Sequence, residues 1–176
     1  SRQIDSQLIA IAHRDHIILP SIKALLDGRI TLPAIQHVMQ SPREKKAVLT
    51  NYLKKNSVNN MVYISAQAVE GAKLAQLDYT VLDEKDGLAL TEVRLHTGRS
   101  HQIRVQMSAI DCPVYGDMRY GGERAKKGYL ALWAYLLSFT HPVTGERMVF
   151  RVQPPKDVAP WTLFDTESCV QVVKPE

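Results

Sequence analysis

At Ala75 the spacing of apolar residues along the chain changes. Ala75, Leu77, Tyr79 and Val81 alternate with polar neighbours, which puts them on one face of a strand, because successive strand side chains point to opposite faces. The polar stretch Asp83-Glu84-Lys85-Asp86-Gly87 supplies turn chemistry, and Leu88 to Leu95 supplies a second strand, so the two read as a β-hairpin. After Thr97-Gly98-Arg99, Ser100 is placed to cap a helix, and Ile103, Met107 and Ile110 follow at the spacing of a short amphipathic helix. His101, Arg104 and Ser108 share a different face of that helix.

The rest of the chain is organised around this unit. Ile4, Leu8 and Ile11, then Ile22, Leu25 and Leu26, recur at helical spacing, and Thr31-Leu32-Pro33 reads as a helix start leading into Ile35, Val38 and Met39. The polar, proline-bearing run Ser41 to Lys46 interrupts that pattern and marks a boundary. The expected division is a helical segment over residues 1–45, a main domain over 46–165 and a tail over 166–176. Within the main domain, Cys112 to Gly122 is a loop punctuated by Pro113, Gly116, Gly121 and Gly122. Leu130 to Phe139 is helix or strand by propensity, with the alternation of Trp133, Tyr135, Leu137 and Phe139 favouring strand in its second half. A turn over His141 to Glu146 leads to alternating Met148, Phe150 and Val152, a second hairpin. Pro154, Pro155 and Pro160 end regular structure, and Cys169 to Val173 is at most a short terminal strand.

A chain of 176 residues that is 45% apolar is sized for one globular unit. No apolar run approaches the roughly 20 residues needed to cross a bilayer, and the first residues lack a basic stretch followed by an apolar one. A cytoplasmic protein with no membrane partner is expected. Cys112 and Cys169 match no metal-ligand spacing and read as reduced thiols. The net charge of +4 is too small to demand a polyanionic partner. Its location says more: between Arg94 and Lys127 seven lysines and arginines stand against three acids, an excess equal to that of the whole chain. A local basic stretch is what a phosphate-lined ligand needs, although a solvated basic surface has the same composition.

Chemistry concentrates in Arg94-Leu95-His96-Thr97-Gly98-Arg99-Ser100-His101-Gln102-Ile103-Arg104. Free N–H groups at a helix start together with three arginines suit an anion, either a phosphate or a buried carboxylate held bidentately. The plainer reading is that the arginines pair with surface acids and cap the helix. His96 and His101 lie five residues apart across a turn with no third ligand following, so no metal is expected. Ser100 and Ser108 lack a G-x-S-x-G elbow.

Two stretches carry a family resemblance. Arg94 to Arg104, followed by Cys112-Pro113-Val114-Tyr115-Gly116-Asp117-Met118-Arg119-Tyr120-Gly121, resembles the paired signature R-x-x-T-G-R-x-H-Q-I-R and P-x-x-G-D-x-x-Y-G of the RluA-type RNA pseudouridine synthases. Similarity extends from Asn51-Tyr52-Leu53 through Gly71 to Ala75 and on to Phe139-Thr140-His141-Pro142 and Pro160-Trp161. The resemblance implies an α+β fold, a mixed, mainly antiparallel sheet with packed helices. It implies isomerisation of uridine to pseudouridine in structured rRNA or tRNA, with no cofactor or metal and with the target nucleotide flipped from its stack. By position, Arg104 matches the arginine that pairs with the family's catalytic aspartate, and Ile103 an apolar neighbour lining the pocket. Arg99, His101 and Gln102 match the strand-to-helix turn, and Asp117, Tyr120 and Gly121 a loop closing the same side. Arg94 and Arg119 join these as candidate RNA contacts.

The chain also departs from the family pattern. The aspartate motif, close to H-R-L-D-x-x-T-S-G, is absent from the sequence; His13-Arg14-Asp15 is the fragment nearest to it, which makes Asp15 the candidate nucleophile within the chain. The family's upstream tyrosine has no counterpart between Leu32 and Met39. Gln106 stands where a histidine is usual, and Asp111 where a glycine is usual. The readings that follow are a monomeric pseudouridine synthase, with its aspartate at Asp15 or outside these residues, and a non-catalytic RNA-binding protein that keeps the fold. A weaker third is a small-molecule anion-binding domain.

Overall fold

The computed structural model describes residues 34–40, 42–125 and 128–168. Its frame is one seven-stranded sheet built from β1 (Ala34–Gln40), β2 (Lys46–Lys55), β3 (Val62–Ser65), β4 (Ala72–Lys85), β5 (Leu88–Leu95), β6 (Leu132–Thr140) and β7 (Arg147–Arg151). The spatial order is β3-β2-β4-β5-β1-β6-β7, and every pair is antiparallel. The mixed sheet expected from the resemblance is therefore antiparallel among the described residues. Among the described residues there is one α-helix, α1 (Gln102–Ala109), with two short 3-10 turns, Gly122–Arg124 and Trp161–Leu163.

The β4–β5 hairpin forms as the alternation requires. Its turn is tighter than expected: β4 runs on through Lys85, and Asp86 and Gly87 alone reverse the chain, with φ 52° and 74°. Two positive φ values in a two-residue loop match the right-handed twist of the flanking strands, and Asp-Gly tolerates them. A register shift between Val81 and Asp83 absorbs the extra residue. The register then places Leu77 opposite Leu95 and Tyr79 opposite Val93. Those side chains share a core with Met39, Ala89, Ile103, Met107, Cys112 and Val114. On the opposite face Leu88 and Leu90 pack with Ala131, Trp161 and Phe164. Burial on both faces fits the apolar run Leu88-Ala89-Leu90 that opens β5.

Two expectations need correction. Residues 34–40 are not helical: β1 is an interior strand, paired with β5 on one side and β6 on the other. Its Ile35 and Val38 suit a strand, and two ladders of backbone hydrogen bonds outweigh a three-to-four spacing read over six residues. The boundary at Ser41 to Lys46 consequently does not part β1 from the sheet. The helices expected before Ala34, the terminal strand at Cys169 to Val173 and Cys169 itself lie outside the described residues. Met148, Phe150 and Val152 do follow the second hairpin turn, but β7 is an edge strand, with Val149, Phe150 and Val152 exposed.

α1 spans two turns and owes its stability to packing, since helices this short are marginal alone. It starts one residue later than expected. Ser100 does not cap it; His101 precedes the first turn in a left-handed conformation, φ 53°, with no side-chain cap. At the other end Asp111 adopts φ 61°, its N–H reaches the Ser108 carbonyl at 3.0 Å, and the Cys112 N–H reaches the Met107 carbonyl at 3.0 Å. This pair of bonds is the Schellman closure, whose left-handed residue is ordinarily glycine. The preference for glycine at Asp111 thus has a backbone cause.

Candidate active site around Arg104

The strand-to-helix turn is fixed from inside by Gln102. Its Oε1 accepts from the Thr97 hydroxyl and from the Arg99 N–H, both at 2.9 Å, and its Nε2 donates to the Gln76 carbonyl at 3.0 Å. Thr97 Oγ1 accepts the Gln76 N–H at 2.8 Å, and Arg99 Nε donates to the Leu74 carbonyl at 2.8 Å. The T-G-R-x-H-Q stretch therefore clamps the end of β5 to β4 and sets the direction in which α1 leaves the sheet.

On the face of α1 turned away from the core, His101, Arg104 and Ser108 all meet Tyr120. The Arg104 guanidinium lies 5.1 Å from the Tyr120 ring centroid, within cation–π range. The Ser108 hydroxyl donates to the Tyr120 carbonyl at 2.7 Å, and His101 Nδ1 lies 2.7 Å from the Tyr120 hydroxyl. That hydroxyl already accepts the Val62 N–H at 3.0 Å. Burial first, then the charges of Arg104, Arg119 and Lys55, push the His101 imidazole below its ordinary 6.5, against the opposing pull of Asp117. A neutral His101 accepts the hydroxyl proton at Nδ1 and carries its own on Nε2.

Arg104 is held by Asp117. Nε donates to Oδ2 and Nη2 to Oδ1, each at 2.8 Å, with the two side chains 12% and 0% exposed. The Arg119 and Tyr120 N–H groups also donate to Oδ1, each at 3.0 Å. Burial pushes the Asp117 carboxyl up, but the Arg104 hydrogen bonds, the Tyr120 N–H, the Arg104 charge and the Arg119 N–H outweigh it and hold the carboxyl below its ordinary 3.8. Of the two anions left open by the sequence, a buried carboxylate is the one Arg104 binds here. Gly116 and Gly121 set the loop that delivers it: a Cβ at Gly116 would lie 2.2 Å from the Tyr129 carbonyl oxygen, and one at Gly121 2.4 Å from the Asp117 carbonyl oxygen.

Not every candidate joins this group. Ile103 is buried in the core against the sheet and has no open face. Arg94 falls between Val93 and Leu95, so it points to the opposite side of the sheet, where its Nε lies 3.5 Å from Glu92. Glu92 in turn accepts from the buried Tyr135 hydroxyl, and burial followed by that bond holds the phenol well above its ordinary 10.0. Asp15 lies outside the described residues. Among the described residues no group of three or more His, Cys, Asp or Glu is placed to hold a metal. The Asp117 pairing was hidden in the sequence because thirteen residues and a loop separate the partners. Gln106, by contrast, stood out as a departure; it is buried, and its Nε2 lies 2.7 Å from Asn51 Oδ1.

Comparison with known proteins gives the family of the chain. The profile of the family described as RNA pseudouridylate synthase matches residues 21–109. A ribosomal large subunit pseudouridine synthase D from Zymomonas mobilis is 31% identical over 161 residues, 85% of this chain and 46% of that protein. An uncharacterized RNA pseudouridine synthase from Aquifex aeolicus is 42% identical over 103 residues, 51% of this chain and 33% of that protein. The chain thus spans less than half the length of these two relatives. A solved structure of human RNA pseudouridylate synthase domain containing 1 superposes with a TM-score of 0.64 at 24% identity, covering 79% of this chain and 60% of that one, which supports the fold. The two signature stretches meet at Arg104 and Asp117, and the profile takes in β1 together with the β4–β5 hairpin; the chain belongs to the RNA pseudouridylate synthase family, of RluA type.

Proposed function

We propose that this chain forms the arginine-bearing side of an RNA pseudouridine synthase that isomerises uridine in structured rRNA or tRNA, acting in the cytoplasm without metal or cofactor. The observation that carries the reading is the bidentate Arg104–Asp117 pair stacked on Tyr120. Asp117 takes the Nε and Nη2 edge of the guanidinium, and among the described residues no hydrogen bond is made by Nη1. A second carboxylate, the family's nucleophilic aspartate, would meet that remaining edge. An arginine so placed keeps the nucleophile ionised and aims it at the ribose side of the glycosidic bond.

The reaction needs the glycosidic bond from N1 broken, the uracil turned and carbon 5 joined to the ribose, with the carbon 5 proton lost to solvent and N1 gaining one, so that the product is an isomer of uridine. Arg99, Arg104, His101, Gln102, Asp117, Arg119 and Tyr120 are assigned to the site or to its framing, and Asp15 is the nucleophile candidate within the chain. The second reading is a non-catalytic RNA-binding protein that keeps the same fold and the arginine-bearing face. Tritium release from RNA labelled at carbon 5 of uridine separates them. The enzyme reading expects release by the intact protein; RNA binding with no release on either rRNA or tRNA leaves the binding reading.

A further inference from the structure

The β2–β3 hairpin packs against the Arg104 site, its Leu53 and Val62 sharing a core cluster with Val105 and Tyr120. Its Val62 N–H donates to the hydroxyl of Tyr120, the residue on which Arg104 stacks, and its Asn60 carbonyl lies 3.5 Å from Arg119 Nη1. The hairpin stands at one edge of the sheet. From Val48 to Val69 the chain's charges are Lys54 and Lys55, and Glu70 is the acid that follows. Lys54 and Tyr63 are cross-strand partners and so share the outer face, where Tyr63 is 49% exposed. Lys55, the next residue, turns to the α1 side and is one of the charges that lower the His101 pKa. A shallow groove runs along the hairpin between these lysines, Asn56 and Tyr63. The loop is rigidified by its own amides: Asn56 Oδ1 accepts the Val58 N–H at 2.8 Å, and Asn59 Oδ1 accepts the Met61 N–H at 2.9 Å.

An exposed aromatic ring beside a lysine, with a second lysine on the adjoining face, suits single-stranded nucleic acid. Phosphates are met by the ammonium groups and an unstacked base by the ring. We propose that the β2–β3 hairpin is a second RNA contact, holding unpaired nucleotides that flank the target uridine through Lys54, Lys55 and Tyr63. The inference rests on the RNA function proposed above. A protein partner or an anionic membrane would need an acidic or apolar counterpart for this ring and these lysines; such binding is an outcome of the test.

The experiment measures fluorescence anisotropy of a labelled single-stranded oligouridine, and of a duplex of the same length, against the intact protein. The strand is expected to bind more tightly than the duplex. Replacing Lys54 and Lys55 together by alanine lowers the affinity about tenfold and reduces the log–log salt slope by about 1.4, that of two phosphates on a single strand. Tyr63→Ala lowers affinity at least about fivefold, while Tyr63→Phe keeps it, because stacking needs the ring and not the hydroxyl. Lys54 and Tyr63 lie on the surface, and the phenylalanine variant controls for folding. Unchanged affinity in the lysine and alanine variants, Tyr63→Phe losing as much as Tyr63→Ala, or equal binding of duplex and strand overturns the hairpin contact and leaves the enzyme reading standing. Failure of the unaltered protein to bind any RNA, including when it binds vesicles containing phosphatidylserine, overturns both.

Discussion

A guanidinium that is only 12% exposed remains charged, so its burial is costly unless a carboxylate meets it with good geometry, and Asp117 does so. Removing one partner of such a pair leaves the other buried and uncompensated. Asp117→Ala is therefore expected to destabilise the protein by about 3–5 kcal/mol, read from the shift in urea midpoint; a loss well under about 1 kcal/mol would show that the pair behaves as a surface ion pair. His101 and Asp117, the two perturbed groups around Arg104, act in the same direction with pH. His101 has a folded pKa below its ordinary 6.5, so the folded state binds fewer protons than the unfolded one, and stability falls as pH drops from about 6.5 toward the folded value. Asp117 has a folded value below 3.8, so its contribution is whole above about pH 4 and is lost as pH falls through the folded value. Urea midpoints should thus drop between pH 7.5 and pH 5, and His101→Gln should drop less over that interval; an equal drop would assign the effect to other groups. Arg104, His101, Gln102, Asp117 and Tyr120 were legible as candidates because two sequence signatures mark them. Which carboxylate Arg104 holds was not, since a loop contact leaves no periodic trace.

α1 shows how little of an element's stability is intrinsic. Its two turns are anchored by Ile103 and Met107, both almost wholly buried, and Met107→Ala should cost about 2–5 kcal/mol by loss of transfer energy and creation of a cavity. Asp111→Gly is expected to act the other way, raising the unfolding midpoint by up to about 1 kcal/mol, because a left-handed position closes the helix there. A fall in midpoint would mean that the carboxylate contributes more than the backbone strain it imposes. In the β4–β5 turn, Gly87→Ala should be destabilising by about 1 kcal/mol or more, measured in the same way, since both turn residues need positive φ. The hairpin and α1 were readable from periodicity because one face of each is buried. β1 was not: an interior strand seven residues long shows too few repeats for its period to be told from a helical one, and its pairing with β5 and β6 is set by residues 48–58 and 95–102 positions away.

At the scale of the molecule, one antiparallel sheet collects segments from β1 to β7 and carries α1 and the Asp117 loop on the side of its largest core cluster. The resemblance foresaw a mainly antiparallel sheet, and of the packed helices it implies, α1 is the one that falls among the described residues. Among those residues no helix is long and apolar enough to cross a membrane. The chain spans less than half of the Zymomonas relative, so the site is best judged by what the intact protein does to RNA. The most direct measurement is the rate of tritium release from RNA labelled at carbon 5 of uridine, taken for the intact protein and for Arg104→Ala with RNA affinity measured alongside. Loss of a charge that orients the nucleophile is expected to slow release by about 100-fold or more, with RNA affinity falling far less. Release at an unchanged rate in Arg104→Ala, or RNA binding by the intact protein with no release at all, would contradict the account.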